Sequence, residues 1–381
     1  MTILGIETSC DETSVAVVEN GTNLLAHTLA SSQQLHEKYK GIVPDRAARE
    51  QLKYILPTLH ETLKVLGERP IDALAVTVGP GLIGSLLIGI ETAKALALTW
   101  NKPLIPVNHL VGHIYANWIT NYETSQLSLA TGRATNQSLL TNDQSPITEF
   151  PHNSPKLPAV VLIVSGGHTD LVYMKDHGNF DYLGGTLDDA TGECFDKCGR
   201  LLGLPYPYGP YIEAEASKFI INSSGFIVKL PRPMMEAKGF DFSFSGLKTA
   251  FIKEFNRLRI TNYDLLTPHL AYELQEAITD VLVAKTIRAT QKFQPKSIIV
   301  AGGVAANKRL REKLQFEISH QSPVTSDQSP VTLYIPPSPL CTDNAVYIAS
   351  CAYFNYQPLP LNLIDADPDL SVKDLKSTSN I

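Results

Sequence analysis

Apolar residues open the chain in three short runs, at 3–7, 14–19 and 24–29, each with β-branched side chains, and each run reads as a strand. Asn20-Gly21, between the second and third, is a pair that readily takes the left-handed turn of a tight hairpin. The layout recurs at 159–164 and 168–174, with Gly178-Asn179 in the turn and Tyr182-Leu183 near a third strand. A small polar loop separates the first two strands of each copy: residues 8–13 in the first, Ser165-Gly166-Gly167 in the second. Two units of one design are expected.

Helical spacing follows the first copy. Pro44-Asp45 precedes a periodic stretch over 46–66, kinked or divided at Pro57; 71–78 is an apolar strand, and Gly79-Pro80-Gly81 breaks into an apolar helix through Leu98. After the second copy, Thr267-Pro268 supplies an N-cap and a first-position proline, and Leu270, Leu274, Ile278 and Val281 form one apolar stripe. Residues 297–301 are a buried strand candidate, followed by Gly302-Gly303 and a helix carrying Lys308, Arg309, Arg311 and Lys313. Those cations read either as a nucleic-acid contact or as a solvated helix face.

Two stretches lack periodicity. Residues 121–156 hold 17 Ser, Thr, Asn or Gln among 36 positions and only five charges, and the pentapeptide Gln-Ser-Pro-Val-Thr occurs at Gln321 and again at Gln328. Both are expected to be low-complexity inserts in surface loops, without a part in the chemistry. The expected layout is a first lobe over 1–120 to which C-terminal helices return, an insert over 121–156, a second lobe over 157–363 interrupted at 319–332, and a flexible tail over 364–381.

Composition narrows the function classes. A net charge of -6 over 381 residues excludes a bulk electrostatic grip on nucleic acid, so any such binding needs a local basic patch or a partner. Glu7 comes too early for a signal peptide, and no apolar run approaches the roughly 20 residues of a membrane span, so no membrane association and a cytoplasmic location are expected. Five scattered cysteines argue against a disulfide framework.

Candidate chemistry sits in three places. Each small polar loop between strands exposes backbone N–H groups that phosphate can approach, and two copies together with Gly302-Gly303 suggest a nucleotide or adenylate in a cleft between lobes. Ser245-Gly246-Leu247-Lys248-Thr249 does not have the spacing of a phosphate-binding P-loop. His109 and His113, four apart, share a helical face after the strand at 104–107, and Asp343 opens another helix; two imidazoles and a carboxylate with open positions suit iron, zinc or manganese. A zinc peptidase would place glutamate directly after the first histidine, where this chain has Leu110.

Several motifs together resemble a known family: Gly5-Ile6-Glu7-Thr8-Ser9-Cys10-Asp11-Glu12-Thr13, the His109/His113 pair, Val164-Ser165-Gly166-Gly167-His168-Thr169, Phe195-Asp196-Lys197, Asp241-Phe242-Ser243-Phe244-Ser245-Gly246-Leu247-Lys248-Thr249, Gly302-Gly303-Val304-Ala305-Ala306-Asn307 and Cys341-Thr342-Asp343-Asn344-Ala345. The chain resembles the TsaD family of tRNA N6-adenosine threonylcarbamoyltransferases. The resemblance implies an α/β fold of two ribonuclease-H-like lobes, of the actin-like, sugar-kinase and heat-shock ATPase type, with an interlobe cleft. It implies transfer of threonylcarbamoyl from threonylcarbamoyl-adenylate to the N6 amine of the adenosine beside the anticodon, in tRNAs reading codons that begin with A, with release of AMP.

Carried over residue by residue, the resemblance makes His109, His113 and Asp343 ligands of one divalent metal, iron(II) or zinc. Ile163, Val164, Ser165, Gly166 and Gly167 match the loop that contacts the donor, and Asp196, Gly209, Glu213 and Asn307 match positions that hold the adenylate. The family's Pro-Gly-Gly-Pro reads Pro207-Tyr208-Gly209-Pro210 here, with tyrosine at the first glycine. Asp11 or Glu12 is the candidate base for the attacking amine, His168 the second choice. Expected partners are tRNA and TsaB-like and TsaE-like proteins, with the TsaB-like protein on the first lobe. An ATP-hydrolysing kinase or chaperone-like switch of the same fold is the alternative; it would need carboxylates around magnesium and has no use for paired imidazoles.

Overall fold

The computed structural model describes residues 1–122, 127–129, 153–219, 228–258, 263–320 and 331–374. The elements in chain order are β1 (Thr2–Glu7), β2 (Glu12–Glu19), β3 (Asn23–Ser31), α1 (Gln33–Glu37), α2 (Pro44–Leu66), β4 (Ala73–Gly79), α3 (Ile83–Trp100), β5 (Leu104–Asn108), α4 (His109–Tyr115) and β6 (Leu127–Leu129). There follow β7 (Ala159–Val164), β8 (Thr169–Asp176), β9 (Asn179–Gly185), α5 (Thr191–Leu201), α6 (Tyr208–Ser217), α7 (Ser245–Leu258), α8 (Tyr263–Phe293), β10 (Ser297–Ala301), α9 (Lys308–His320), β11 (Thr332–Tyr334), α10 (Ser338–Cys341) and α11 (Ala345–Phe354). Two compact units form, Met1–Pro155 with Pro336–Ile381, and Lys156–Ile335.

Each unit is built on a sheet of the same design. The first has the order β5-β4-β1-β2-β3-β6 and the second β11-β10-β7-β8-β9. In both, three consecutive strands pair antiparallel and the next two add parallel to the first of them. The duplicated pattern of the sequence is thus a duplicated α/β unit. Its hairpins follow from turn chemistry: Asn20 and Gly21 both take positive φ, as a tight turn of this hand requires.

Alternate residues of β1 serve two faces, as strand geometry dictates. Leu4 and Ile6 join Ile55, Leu59, Leu86 and Ile90 of α2 and α3 in one core. Gly5 faces the other way, against α11, where a Cβ would come within 2.6 Å of the Ala345 carbonyl oxygen. Helix α3 has the length and hydropathy of a membrane span, yet Leu86, Ile90, Ala93 and Ala97 bury one side of it in this core. In the second unit β7 is wholly buried, and Leu270, Leu274, Ile278 and Val281 of α8 are buried as the stripe predicted.

One alternative is dropped and three expectations change. Helix α2 runs through Pro57 without dividing. Helix α8 begins at Tyr263, so Pro268 lies inside it, where proline removes one N–H from the ladder. The second unit closes at Ile335 rather than at 363, and α10 and α11 are the C-terminal helices that return to the first unit. Of the tail expected over 364–381, the described part, 364–374, is docked: Ile364 enters the first core, and the Asp367 amide donates to the Val78 carbonyl at 2.8 Å. The inserts expected at 121–156 and 319–332 lie largely outside the described residues, apart from β6, which pairs parallel with β3. All five cysteines are free thiols.

Candidate functional site

In the first unit, β5 ends in Asn108, whose side-chain oxygen accepts from the Leu110 and Val111 amides and so starts α4 at His109. Asn344 caps α11 in the same way, accepting from Val346 and Tyr347, and holds Asp343 just outside the helix. The two helices meet at Gly112, where a Cβ would lie 2.8 Å from Ile348 and 2.9 Å from the Tyr347 ring. This close approach brings three ligand atoms together. His109 Nε2 and His113 Nε2 are 3.1 Å apart, and Asp343 Oδ1 is 3.5 and 3.3 Å from them. The group is buried except for a partly open Asp343.

The donor set fits a divalent metal. Ligands held at about 2.0–2.1 Å from a tetrahedral ion sit roughly 3.4 Å from one another, close to the spacings found. Glu7 fixes the chemistry of the nearer imidazole: its Oε2 lies 3.0 Å from His109 Nδ1 and also accepts from Thr77 Oγ1 at 2.6 Å. A proton on Nδ1, donated to Glu7, leaves the Nε2 lone pair aimed at the other two ligand atoms. Burial disfavours a charged imidazole, yet the Asp343 and Glu7 carboxylates raise His109 to about 9. His113 is held below the ordinary histidine value by burial and then by the charge of His109. Burial alone would push Asp343 up, but the two imidazoles hold it at about 2. Tyr347 packs its ring 4.5 Å from that of His113.

Beside these ligands runs the loop between β1 and β2. Its backbone is spent inward: Ser9 N donates to Glu7 Oε1, the Ser9 carbonyl accepts from Leu82 N, and the carbonyls of Thr8, Cys10 and Glu12 lie 3.1, 2.9 and 3.0 Å from the single amide nitrogen of Gln51. Glu12 is raised well above the carboxylate range by burial, then by Asp11 and Asp343. With Asp11 and Glu12 beside Asp343, this loop forms an acidic rim next to the candidate ligand triad. Asp11 is buried within it.

The second unit carries the loop that does suit phosphate. Ser165 N donates to the His168 carbonyl and the Ser165 carbonyl accepts from Gly192 N, which fixes the loop's ends. Gly166 and Gly167 are exposed, with no partner for their N–H groups among the described residues and open space where a Cβ would stand. Ile163 and Val164 are buried strand residues that lead into it. Asp196 is half-buried on α5, and burial, opposed by Arg200, raises it to about 6. Tyr208 is turned inward, its ring buried against Gly199, so Gly209 keeps open space over its backbone. Glu213 and Asn307 meet at the start of α9: Glu213 Oε2 accepts from Lys308 N at 2.9 Å, while Asn307 caps the helix through Leu310 N and donates to Gln275 Oε1 at 3.0 Å.

Two cations of α9 have internal work: Arg309 pairs with Glu276 and Glu312, and Lys313 with Glu276 and Asp280, which ties α9 to α8, while Arg311 Nε donates to the Ala305 carbonyl. Glu7 is the site residue that reasoning from the sequence missed. Its signal was a carboxylate closing an otherwise apolar strand.

Comparison with known proteins bears on both units. A family model described as tRNA N6-adenosine threonylcarbamoyltransferase matches residues 23–145 and 142–350. A protein of that name from Thermomicrobium roseum is 43% identical, the match covering 98% of this chain and 95% of the relative; one from Staphylococcus epidermidis is 42% identical over 93% and 92%. Among solved structures, HypF of T. kodakarensis matches with a TM-score of 0.55 at 12% identity, over 93% of this chain and 47% of that one, a likeness of fold alone. With the motifs lying where the buried triad and the open glycine loop are built, and relatives of one name matching nearly end to end, the chain belongs to the tRNA N6-adenosine threonylcarbamoyltransferase family, TsaD.

Proposed function

We propose that the two units divide one transfer reaction: the second holds threonylcarbamoyl-adenylate, and the first supplies a metal-ligand triad and an acidic rim for moving threonylcarbamoyl to the N6 amine of the adenosine beside the anticodon. The observation that carries the reading is the convergence of His109, His113 and Asp343 within 4.8 Å in a chain of this family. One divalent metal, iron(II) or zinc, would be held by these three residues and, when bound, supplies a Lewis acid to polarise or orient an oxygen of the donor. The rest falls to the chain's own groups.

Exposed N–H groups of Gly166 and Gly167 donate to the phosphate of the adenylate, and Asp196 accepts from a hydroxyl of its ribose. Gly209, Glu213 and Asn307 border the nucleotide; the carboxamide of Asn307 is partly engaged as a helix cap, so its contribution is one remaining Nδ2 hydrogen. Attack by an aromatic amine on the carbamoyl carbon needs a proton acceptor at the nitrogen, and the acidic rim offers Asp11 and Glu12. A Glu12→Gln chain is expected to keep adenylate binding and slow transfer; unchanged single-turnover transfer removes Glu12 from the role. His168 stands in the second unit's loop as the alternative acceptor.

A kinase or chaperone-like switch is disfavoured by the imidazoles, which are poor company for magnesium. Partner binding belongs to the proposal as well: α2 and α3 expose Leu52, Leu56, Ile83, Leu87 and Leu98, apolar area that supports seating a TsaB-like protein on the first unit, with a TsaE-like protein as a further partner. Cytoplasmic location is part of the same reading. Incubation with threonylcarbamoyl-adenylate and unmodified tRNA, with and without partners, followed by nucleoside analysis, tests the whole. Absence of threonylcarbamoyladenosine under every combination rejects it.

A further inference from the structure

Helix α11 begins at Ala345, and the first N–H of a helix has no partner within it. Asn344 does not fill this need, because its side chain serves the next two amides, Val346 and Tyr347. The acceptor is Ser14 of β2, whose Oγ lies 2.9 Å from Ala345 N. On its other side Ser14 Oγ is 3.0 Å from His27 Nε2, on the neighbouring strand β3. Ser14 and Ala345 are fully buried and His27 nearly so.

The hydrogens can be assigned from valence. An amide N–H only donates, so among the described residues the single hydroxyl hydrogen of Ser14 has an acceptor only in the lone pair of His27 Nε2. The imidazole proton is then on Nδ1, and that atom has no hydrogen-bond partner among the described residues. Burial lowers His27 to about 4, which keeps it a neutral acceptor at ordinary pH. A buried, unpartnered N–H is a standing cost of this arrangement. The cost has a return in geometry: three residues before Ser14 stands Asp11 of the acidic rim, and two residues before Ala345 stands Asp343.

We infer that Ser14 and His27 are positioning residues of the metal centre, a relay in which His27 orients the Ser14 hydroxyl so that its lone pair fixes the start of α11, and with it the Asp343 carboxylate, against the His109/His113 pair. The inference rests on the reading of His109, His113 and Asp343 as a metal site. It adds two residues that touch neither metal nor substrate.

Cobalt(II) binding to the full-length chain, followed by its visible absorption, tests the relay. Ser14→Ala and His27→Leu are expected to weaken cobalt affinity about tenfold and to alter the absorption band, as loss of an outer partner of a ligand does. His27→Gln, whose amide oxygen reaches the place of Nε2 and can accept the Ser14 hydroxyl, is expected to stay within about threefold of the parent chain. Urea unfolding of the metal-free proteins separates positioning from general stability: His27→Leu exchanges the unpartnered imidazole N–H for an unpartnered Ser14 hydroxyl and should stay near the parent midpoint while still losing affinity. Parent affinity and spectrum in both Ser14→Ala and His27→Leu overturn the relay. Loss of affinity only in step with loss of folded protein, across all three variants, overturns it too. A parent chain that binds no cobalt overturns the metal reading together with the relay.

Discussion

The two loops that follow the first strand of each unit began as one pattern and end as opposite chemistries. After β7, the loop of Ser165, Gly166 and Gly167 is tied at its ends and leaves two glycine amides facing outward, a donor surface for an anion. After β1, the loop turns its carbonyls onto Gln51 and its carboxylates toward Asp343, an acceptor surface for cations and protons. The strand frames are equivalent in order and direction, so topology did not decide the difference. Side chains did: Glu7 captures the amide of Ser9, and Gln51 captures the carbonyls, whereas among the described residues no carboxylate bonds the amides of the glycine loop, and the strand residue that corresponds to Glu7 is Val164. A repeated fold thus supplies two positions for chemistry and leaves their sign to a few residues.

The comparison breaks most plainly at the acceptor side. His113→Ala and Asp343→Ala each remove one of three ligands, and metal affinity should fall roughly a hundredfold or more, with adenylate binding by the second unit unchanged. Measured by metal titration and by adenylate binding, a loss of both together would mean that the two loops form one interdependent surface. Glu7→Gln is subtler. It keeps the shape but offers one acceptor oxygen where Glu7 uses two, so it cannot serve His109 Nδ1 and Thr77 on one side and Ser9 N on the other, and metal affinity should drop about 10–100-fold. Affinity equal to the parent would show that the tautomer needs no carboxylate.

On the donor side, Gly167→Val should leave both folding and metal affinity intact, since nothing lies within 4 Å of where its Cβ would stand. Adenylate affinity should fall roughly thirtyfold, equivalent to about 2 kcal/mol of steric cost against the ligand. Isothermal titration with a non-hydrolysable adenylate analogue measures it, and an unchanged affinity would move the phosphate elsewhere.

Much of this contrast was written in local sequence, and the rest was not. Strands and hairpins were legible because turn pairs such as Asn20-Gly21 and the period of two act over a few residues. The histidine pair and Asp343 were legible as ligand types, but their meeting depends on α4 and α11 packing across Gly112, a contact between segments remote in the chain. Pro268 misled for a physical reason: a helix sustained by the buried Leu270 to Val281 stripe tolerates one missing N–H in an early turn. The pairing of Arg309 and Lys313 was not legible because their acidic partners lie on α8, outside any window that reads one helix. Glu7 was hidden by its motif, where one carboxylate among three gave no sign of facing inward.

The smallest expected effect sharpens the comparison through pH. Asp196 is raised from 3.8 to about 6 by burial, so the folded chain holds this proton more tightly than the unfolded chain. Between those values the native state binds more protons, and stability contributed by Asp196 falls as pH rises through the window, to stay lower above it. Adenylate binding should move the other way, because only the ionised carboxylate accepts a ribose hydroxyl without donating a hydrogen of its own. From pH 5 to pH 7 the ionised share rises from about one-tenth to nine-tenths, so affinity gains at most about tenfold. Measured against Asp196→Asn, which cannot titrate, the parent chain should lose urea resistance and gain adenylate affinity over the same interval. A metal affinity that follows the same profile would join the two loops; a profile confined to adenylate keeps anion binding in the second unit and cation binding in the first.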